Sequence, residues 1–235
     1  MLKSNWIALL ATFAISIIWL RLIDYLAHRG WIESRLSRKI IHAGTGPIFV
    51  MCWIFFQDTW EARYLAALVP LLITIQFFLI GIGVIKDPAS VQAMSRSGDR
   101  KEILRGPLYY GIIFVVLTIA FWLDSPIGII ALMQLSGGDG LAEILGRKYG
   151  KVKLPWNPQK SWMGSLGMFL GGFVFSIAMM GFYVAFGVFS DSIASFLIPV
   201  SIISIACMFI ETLPLRDIDN ITITVTAVIA GFFLF

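Results

Sequence analysis

Long apolar runs recur from one end of this chain to the other, and they restrict its fold more than any other feature. A run of about 20 apolar residues is the length of helix that crosses the hydrocarbon core of a bilayer. Backbone amides and carbonyls find no water there, so such runs fold as helices that satisfy those groups internally. Spans are expected near 5–28, 42–56, 62–85, 107–123, 125–137, 161–189, 191–213 and 221–235, the second, fifth and eighth being short. Composition agrees: 58% of the 235 residues are hydrophobic and 14% are charged, against about 25% charged in soluble domains. The expected fold is an all-α integral membrane protein, a polytopic bundle of about seven to eight transmembrane helices. It is read as a single membrane domain over 1–235.

The segment Met1-Leu2-Lys3-Ser4-Asn5 opens the first run without a small-residue cleavage site, so it reads as the start of a retained helix. Cys52 and Cys207 lie inside apolar runs without CxxC spacing and read as small buried hydrophobes. A net charge of +4 could suggest nucleic acid. The basic residues, however, sit in short loops between apolar spans, which points to anionic lipid and phosphate-bearing substrates instead.

Those loops also give an orientation. The segments 29–41, 86–106, 138–160 and 214–220 hold all the basic residues except Lys3, Arg21 and Arg63. The alternate connections, around 57–61, 124 and 190, hold none. The bias of Lys and Arg toward the inside places the N-terminus outside and the long loops in the cytoplasm. The expected location is the cell (inner) membrane, with any chemistry on its cytoplasmic face.

Polar residues concentrate in Gly137-Gly138-Asp139-Gly140-Leu141-Ala142-Glu143-Ile144-Leu145-Gly146-Arg147-Lys148-Tyr149-Gly150. Glycines around an acid let a backbone approach a ligand closely. A helix starting near Gly140 would aim its free N–H groups and dipole at the same point. On that helix Asp139, Glu143 and Arg147 form one polar stripe. The plainer reading is a capping Asp139 and a Glu143–Arg147 pair on a wetted face.

Other groups recur at the cytoplasmic ends. Arg38 and Lys39 flank a span and can simply anchor it to headgroups. His42 enters the apolar run, where an ionisable ring is costly without a partner. Glu211 ends the seventh span and is followed by Asp217, Asp219 and Asn220. Such acids suit Mg²⁺, which takes one or two carboxylates plus substrate phosphates. Lys160-Ser161 looks like the end of a phosphate-binding loop, but positions 159 and 154 are Gln and Leu, so no Walker A site is present. The glycines of the following span (Gly164, Gly167, Gly171, Gly172) read as a helix-packing face.

Together these segments resemble a known family. Arg38-Lys39-x-x-His42, Gly98-Asp99-Arg100-x-Glu102-x-x-x-Gly106-Pro107-Leu108-Tyr109-Tyr110 and Gly138-Asp139-Gly140-Leu141-Ala142-x-x-x-Gly146-Arg147-x-x-Gly150 are similar to the phytol kinase branch of the polyprenol kinases. Lys160-Ser161-Trp162-x-Gly164-Ser165 and Glu211-Thr212-Leu213-Pro214 with Asp219-Asn220 continue the likeness, which runs from about residue 21 to 226 in order. Dolichol kinases and phosphatidate cytidylyltransferases resemble the chain more distantly. One departure from the pattern is Ile218, which separates Asp217 from Asp219 where the family commonly has adjacent acids.

The resemblance implies a kinase that phosphorylates a long-chain isoprenoid alcohol such as phytol or geranylgeraniol, with CTP as donor and Mg²⁺ or another divalent cation. Its partners would be that alcohol, the nucleotide and membrane lipid, without nucleic acid. On this reading the triphosphate lies over Gly138-Asp139-Gly140, and Asp139 with Glu211 or Asp219 holds the metal. Arg147, Lys148, Lys160 and Ser161 face phosphate oxygens, with Arg38, Lys39 and Arg100 as further candidates. Asp99 is the first candidate for the base that takes the hydroxyl proton, and His42 the second. Two rivals remain: cytidylyl transfer to a lipid phosphate, which releases pyrophosphate, and a transporter. A transporter would place charges or broken helices at the midplane, whereas here they gather at one face.

Overall fold

The computed structural model describes residues 2, 4–31, 34–95, 98–215 and 218–235, leaving aside the side chains of Asp24, Ala27, His28, Ser34, Arg35, Arg38 and Ala93. Helices dominate: α1 (Asn5–His28), α2 (Ser34–Met51), α3 (Ala62–Ile82), α4 (Pro88–Met94), α5 (Gly106–Phe121), α6 (Pro126–Met133), α7 (Asp139–Tyr149), α8 (Trp162–Ala185), α9 (Ile193–Glu211) and α10 (Asp219–Leu234). Among the described residues six helices are long and apolar enough to cross a membrane, with two shorter apolar ones at Lys39–Phe55 and Asp219–Leu234. The all-α membrane fold expected from the apolar runs is the fold observed.

The chain forms two compact units, Met1–Ile41 with Cys52–Ala120, and His42–Met51 with Phe121–Phe235. In the first, hydroxyls along the spans return their protons to the preceding turn: Thr12 Oγ1 to the Ala8 carbonyl at 2.8 Å, Ser16 Oγ to Thr12 at 2.8 Å and Thr74 Oγ1 to Pro70 at 2.6 Å. That satisfies the hydroxyls without water. Helix α3 ends on Gly83 at φ 87°, where the left-handed turn lets the Gly83 and Val84 amides bond back into the helix. The segment 86–106, expected as a loop, contains α4, with Asp87 as its cap and Pro88 in its first turn, and a 3₁₀ turn at Arg100–Leu104.

In the second unit, α8 packs against α7 and α9. The glycine face of α8 does what small residues do in membranes, bringing backbones together. A Cβ at Gly171 would overlap the Gly137 carbonyl oxygen, and one at Gly140 would stand 2.7 Å from the Ala43 Cβ. Tyr183 of α8 donates its hydroxyl to the Val50 carbonyl at 2.5 Å, fixing the second half of α2 in this unit.

The structure departs from expectation at Gly138–Gly140 and again beyond Tyr149. No turn or free helix start exists at Gly138–Gly140: α6 continues through a π turn at Gln134–Gly138 into α7, making one span over Pro126–Tyr149, the most deeply buried of the six. The glycines have helical dihedrals because close packing on neighbouring helices, and not a bend, is what they supply. Beyond Tyr149 the expected loop is instead a two-stranded antiparallel hairpin, β1 (Lys153–Leu154) and β2 (Asn157–Ser161), with Lys153 opposite Ser161.

Candidate active site

The π turn delivers Asp139 to the first position of α7, where its side chain is 14% exposed. His42 of α2 comes to it, Nε2 lying 3.2 Å from Asp139 Oδ2. The close Gly140–Ala43 approach permits this, since a larger residue at 140 would push α2 away. The imidazole in the apolar run thus has the acidic partner its position requires.

The hairpin supplies the second half. Asn157 of β2 is buried and donates Nδ2 to the Thr212 carbonyl at 3.0 Å, tying the strand to the end of α9. Three residues later Lys160 pairs with Glu211, the last residue of α9, whose side chain is 4% exposed. Burial by itself would push the Lys160 ammonium down. The Glu211 carboxylate, with weaker help from Asp139 and Asp219, outweighs this and holds it above the ordinary lysine range. Asp219, in the first turn of α10, is half-buried, and its Oδ1 accepts the Asn220 amide at 3.2 Å. Three acids, one lysine and a histidine therefore lie together in the second unit.

Known proteins give this cluster a setting. The chain is 41% identical over 217 residues to the probable phytol kinase 1, chloroplastic, of Oryza sativa subsp. japonica, an alignment covering 92% of this chain and 69% of that protein. It is 41% identical over 212 residues to the chloroplastic farnesol kinase of Arabidopsis thaliana, covering 89% and 69%. Phytol kinase 1, chloroplastic, of the same plant is 37% identical over 214 residues, covering 90% and 70%. The chain belongs to the phytol kinase family. It is accordingly a phosphotransferase. No family profile and no solved structure matches it.

Within this phytol kinase family member, the residues expected at the site fall into three groups. His42, Asp139, Lys160, Glu211 and Asp219 are brought together. Arg147 and Lys148 are exposed in the last turn of α7, eight residues or about 12 Å along the helix from Asp139. Lys148 Nζ lies 5.2 Å from the centroid of the Tyr149 ring. The remaining residues have local structural work. Ser161 is buried, and its hydroxyl oxygen accepts the Gly164 amide at 3.1 Å as the cap of α8. Gly138 and Gly140 lie inside helix, so the free amides of a phosphate-binding turn are not formed there.

Lys39, Asp99 and Arg100 belong to the first unit. Lys39 is buried in α2. Asp99 is exposed and caps the 3₁₀ turn, accepting the Lys101 amide at 2.9 Å. Arg100 donates Nη1 to the Gly81 carbonyl at 3.1 Å, capping the end of α3. The Arg38 side chain and Asp217 lie outside the described residues.

Two participants escaped the sequence reading. Asn157 was visible in the polar Asn157-Pro158-Gln159-Lys160 stretch, but its bond to Thr212 spans 55 positions. Gln134 stands alone among apolar residues of a span, which is itself the signal that could have found it. It is fully buried and donates Nε2 to Ser204 Oγ at 2.8 Å and Ser176 Oγ at 3.3 Å.

Proposed function

We propose that this phytol kinase family member transfers the terminal phosphoryl group of CTP to the hydroxyl of a long-chain isoprenoid alcohol. The reaction takes place at the Asp139–Lys160–Glu211 cluster, on the cytoplasmic side of the inner membrane. The observation that carries the placement is the Lys160–Glu211 pair, set in an apolar unit with Asp139 and Asp219 acting on the same ammonium. Buried charges in membrane spans are costly, and they mark ion and substrate sites. The cytoplasmic side follows from the basic loops. CTP as donor rests on the resemblance to the polyprenol kinases.

Three carboxylates facing one lysine repel a triphosphate, so the cluster suits a phosphate only together with a divalent cation. The donor set fits one. Glu211 Oε2 is buried without a hydrogen-bond partner, an oxygen that a cation would satisfy. Among the described residues no three His, Cys, Asp or Glu side chains form a metal cage. Mg²⁺ takes one or two carboxylates and completes its shell with phosphate oxygens and water. Asp139 with Glu211 or Asp219 would hold it. When bound, Mg²⁺ supplies neutralisation of charge on the phosphate oxygens.

The protein's own groups do the rest. Lys160 offers its ammonium to a phosphate oxygen, and Arg147 and Lys148 draw the nucleotide in from the end of α7. Asp139 keeps the His42 ring close, Oδ2 lying 3.2 Å from Nε2. The alcohol oxygen attacks the terminal phosphorus, the bond from that phosphorus to the β,γ-bridging oxygen breaks, and the diphosphate leaves with the electron pair. His42 receives the hydroxyl proton. His42 is preferred over Asp99 because it already lies against Asp139, whereas Asp99 is held as an exposed cap.

The test uses purified protein in lipid with Mg²⁺, a panel of isoprenoid alcohols and each of the four nucleoside triphosphates. Isoprenyl monophosphate formed with an equal amount of CDP is the expected result. Pyrophosphate released from CTP with a lipid phosphate acceptor would make the protein a cytidylyltransferase. Absence of nucleotide turnover with every acceptor would overturn the assignment.

A further inference from the structure

Gln134 sits where a helix interior departs from α geometry. The Asp139 amide donates to the Gln134 and Ser136 carbonyls, the first of these closing a π turn. One extra residue in a helical turn changes the direction of every later side chain by about 100°. The direction of Asp139 therefore depends on whether this turn stays π or relaxes to α. Single π turns of this kind recur at functional sites.

The Gln134 side chain ties the start of this turn to two neighbouring helices. Its Nε2 bonds Ser204 Oγ of α9 at 2.8 Å and Ser176 Oγ of α8 at 3.3 Å, so one amide links three helices. All three side chains are fully buried. Gln134 Oε1 has no hydrogen-bond partner and lies against Gly172, where a Cβ would collide with it. An apolar side chain would pack there without an unsatisfied oxygen, so the amide is costly to retain for packing alone. Ser204 precedes Glu211 by seven residues, two turns along one face of α9. The same amide thus fixes the helix that carries Asp139 and the face that carries Glu211.

We propose that Gln134 is a positioning residue for phosphoryl transfer, setting the spacing between Asp139 and Glu211 through the π turn and α9. It rests on the phosphotransferase reading of that pair. Three proteins in lipid test it: wild type, Gln134→Leu and Ser204→Ala. Each is measured for kcat, half-saturating Mg²⁺, KM for the alcohol, thermal midpoint and Mn²⁺ affinity by paramagnetic resonance without nucleotide.

In Gln134→Leu, kcat should fall about 100-fold, the loss typical of misplacing a reacting group by about 1 Å. Half-saturating Mg²⁺ should rise and Mn²⁺ should bind more weakly, while the alcohol KM and the thermal midpoint stay near wild type. Ser204→Ala should show a smaller effect of the same kind. Unchanged kcat and metal dependence in Gln134→Leu would overturn the proposal, as would equal losses in every parameter including the thermal midpoint. If Gln134→Leu does not fold, Ser204→Ala decides by the same criteria. A wild type without turnover removes the kinase reading alone. The Mn²⁺ titration then decides for Gln134, and equal affinity in wild type and Gln134→Leu would be against it.

Discussion

The chain contains two Gly-Asp pairs, at Gly98-Asp99 and Gly138-Asp139, and the two units use them in opposite ways. In the first unit the charges punctuate backbone. Asp99 caps a 3₁₀ turn, Arg100 the end of α3, Asp87 the start of α4, and Arg63 donates to the Ile119 carbonyl at 3.3 Å near the end of α5. Asp87 and Asp99 each accept a backbone amide in these roles. In the second unit the charges face one another: Asp139 meets His42, and Lys160 meets Glu211. Backbone capping needs only one amide or carbonyl and no second charge. Charges withdrawn from water need each other or a ligand. Pairing of charge with charge, more than the motif, marks the unit that carries the proposed chemistry.

The contrast can be broken most directly at Asp139. Asp139→Asn should lower turnover by on the order of 1,000-fold, in keeping with losses on removing one group that stabilises a transition state. The protein should keep its thermal midpoint, and turnover within tenfold of wild type would remove Asp139 from the site. Lys160→Met should cost about 3–5 kcal/mol of stability by leaving the Glu211 carboxylate buried and unpaired. Adding Glu211→Gln should restore much of that stability without restoring turnover. A double variant no more stable than Lys160→Met would mean that the pair is not what holds β2 to α9.

The same pair has a pH signature. Because Glu211 holds the folded Lys160 above its usual value of 10.5, the stabilisation is full below that pH and is lost as pH rises through the folded value. The thermal midpoint of wild type should therefore fall more steeply above pH 10.5 than that of Lys160→Met. His42→Gln should slow phosphorylation by about 100-fold, the lower range for loss of a general base. The smallest effect is expected at Asp99. Asp99→Ala should cost about 1 kcal/mol of stability, as for loss of a cap, with turnover close to wild type. A turnover loss there as large as at Asp139 would erase the distinction between the two Gly-Asp pairs and make Asp99 the base.

Much of the architecture was legible in the sequence because lipid imposes a length and a polarity on every span. The first, third, sixth and seventh expected spans lie close to α1, α3, α8 and α9. The glycine face of α8 was readable as a packing surface for the same reason: small residues at helical spacing have few other uses in a membrane. The site was legible as residue types, Asp139, Lys160, Glu211 and His42, since charged groups stand out against apolar surroundings. Their partnerships were not. Lys160 and Glu211 lie 51 positions apart, and no local pattern pairs them.

Local rules misled at Gly137–Gly140, where consecutive glycines beside an acid suggested a turn. Glycine permits a bend but does not require one, and here the Phe175, Met168 and Ala43 side chains occupy the space a Cβ would need, so the helix runs on. The sequence by itself determined that the chain is a helical membrane protein with its basic residues gathered in alternate loops, because the bilayer acts on each segment independently. The tertiary structure decided which charges cap backbone and which meet across helices, and it decided the π turn that aims Asp139. Those outcomes depend on contacts among α2, α8, α9 and the hairpin, which form only when distant segments pack.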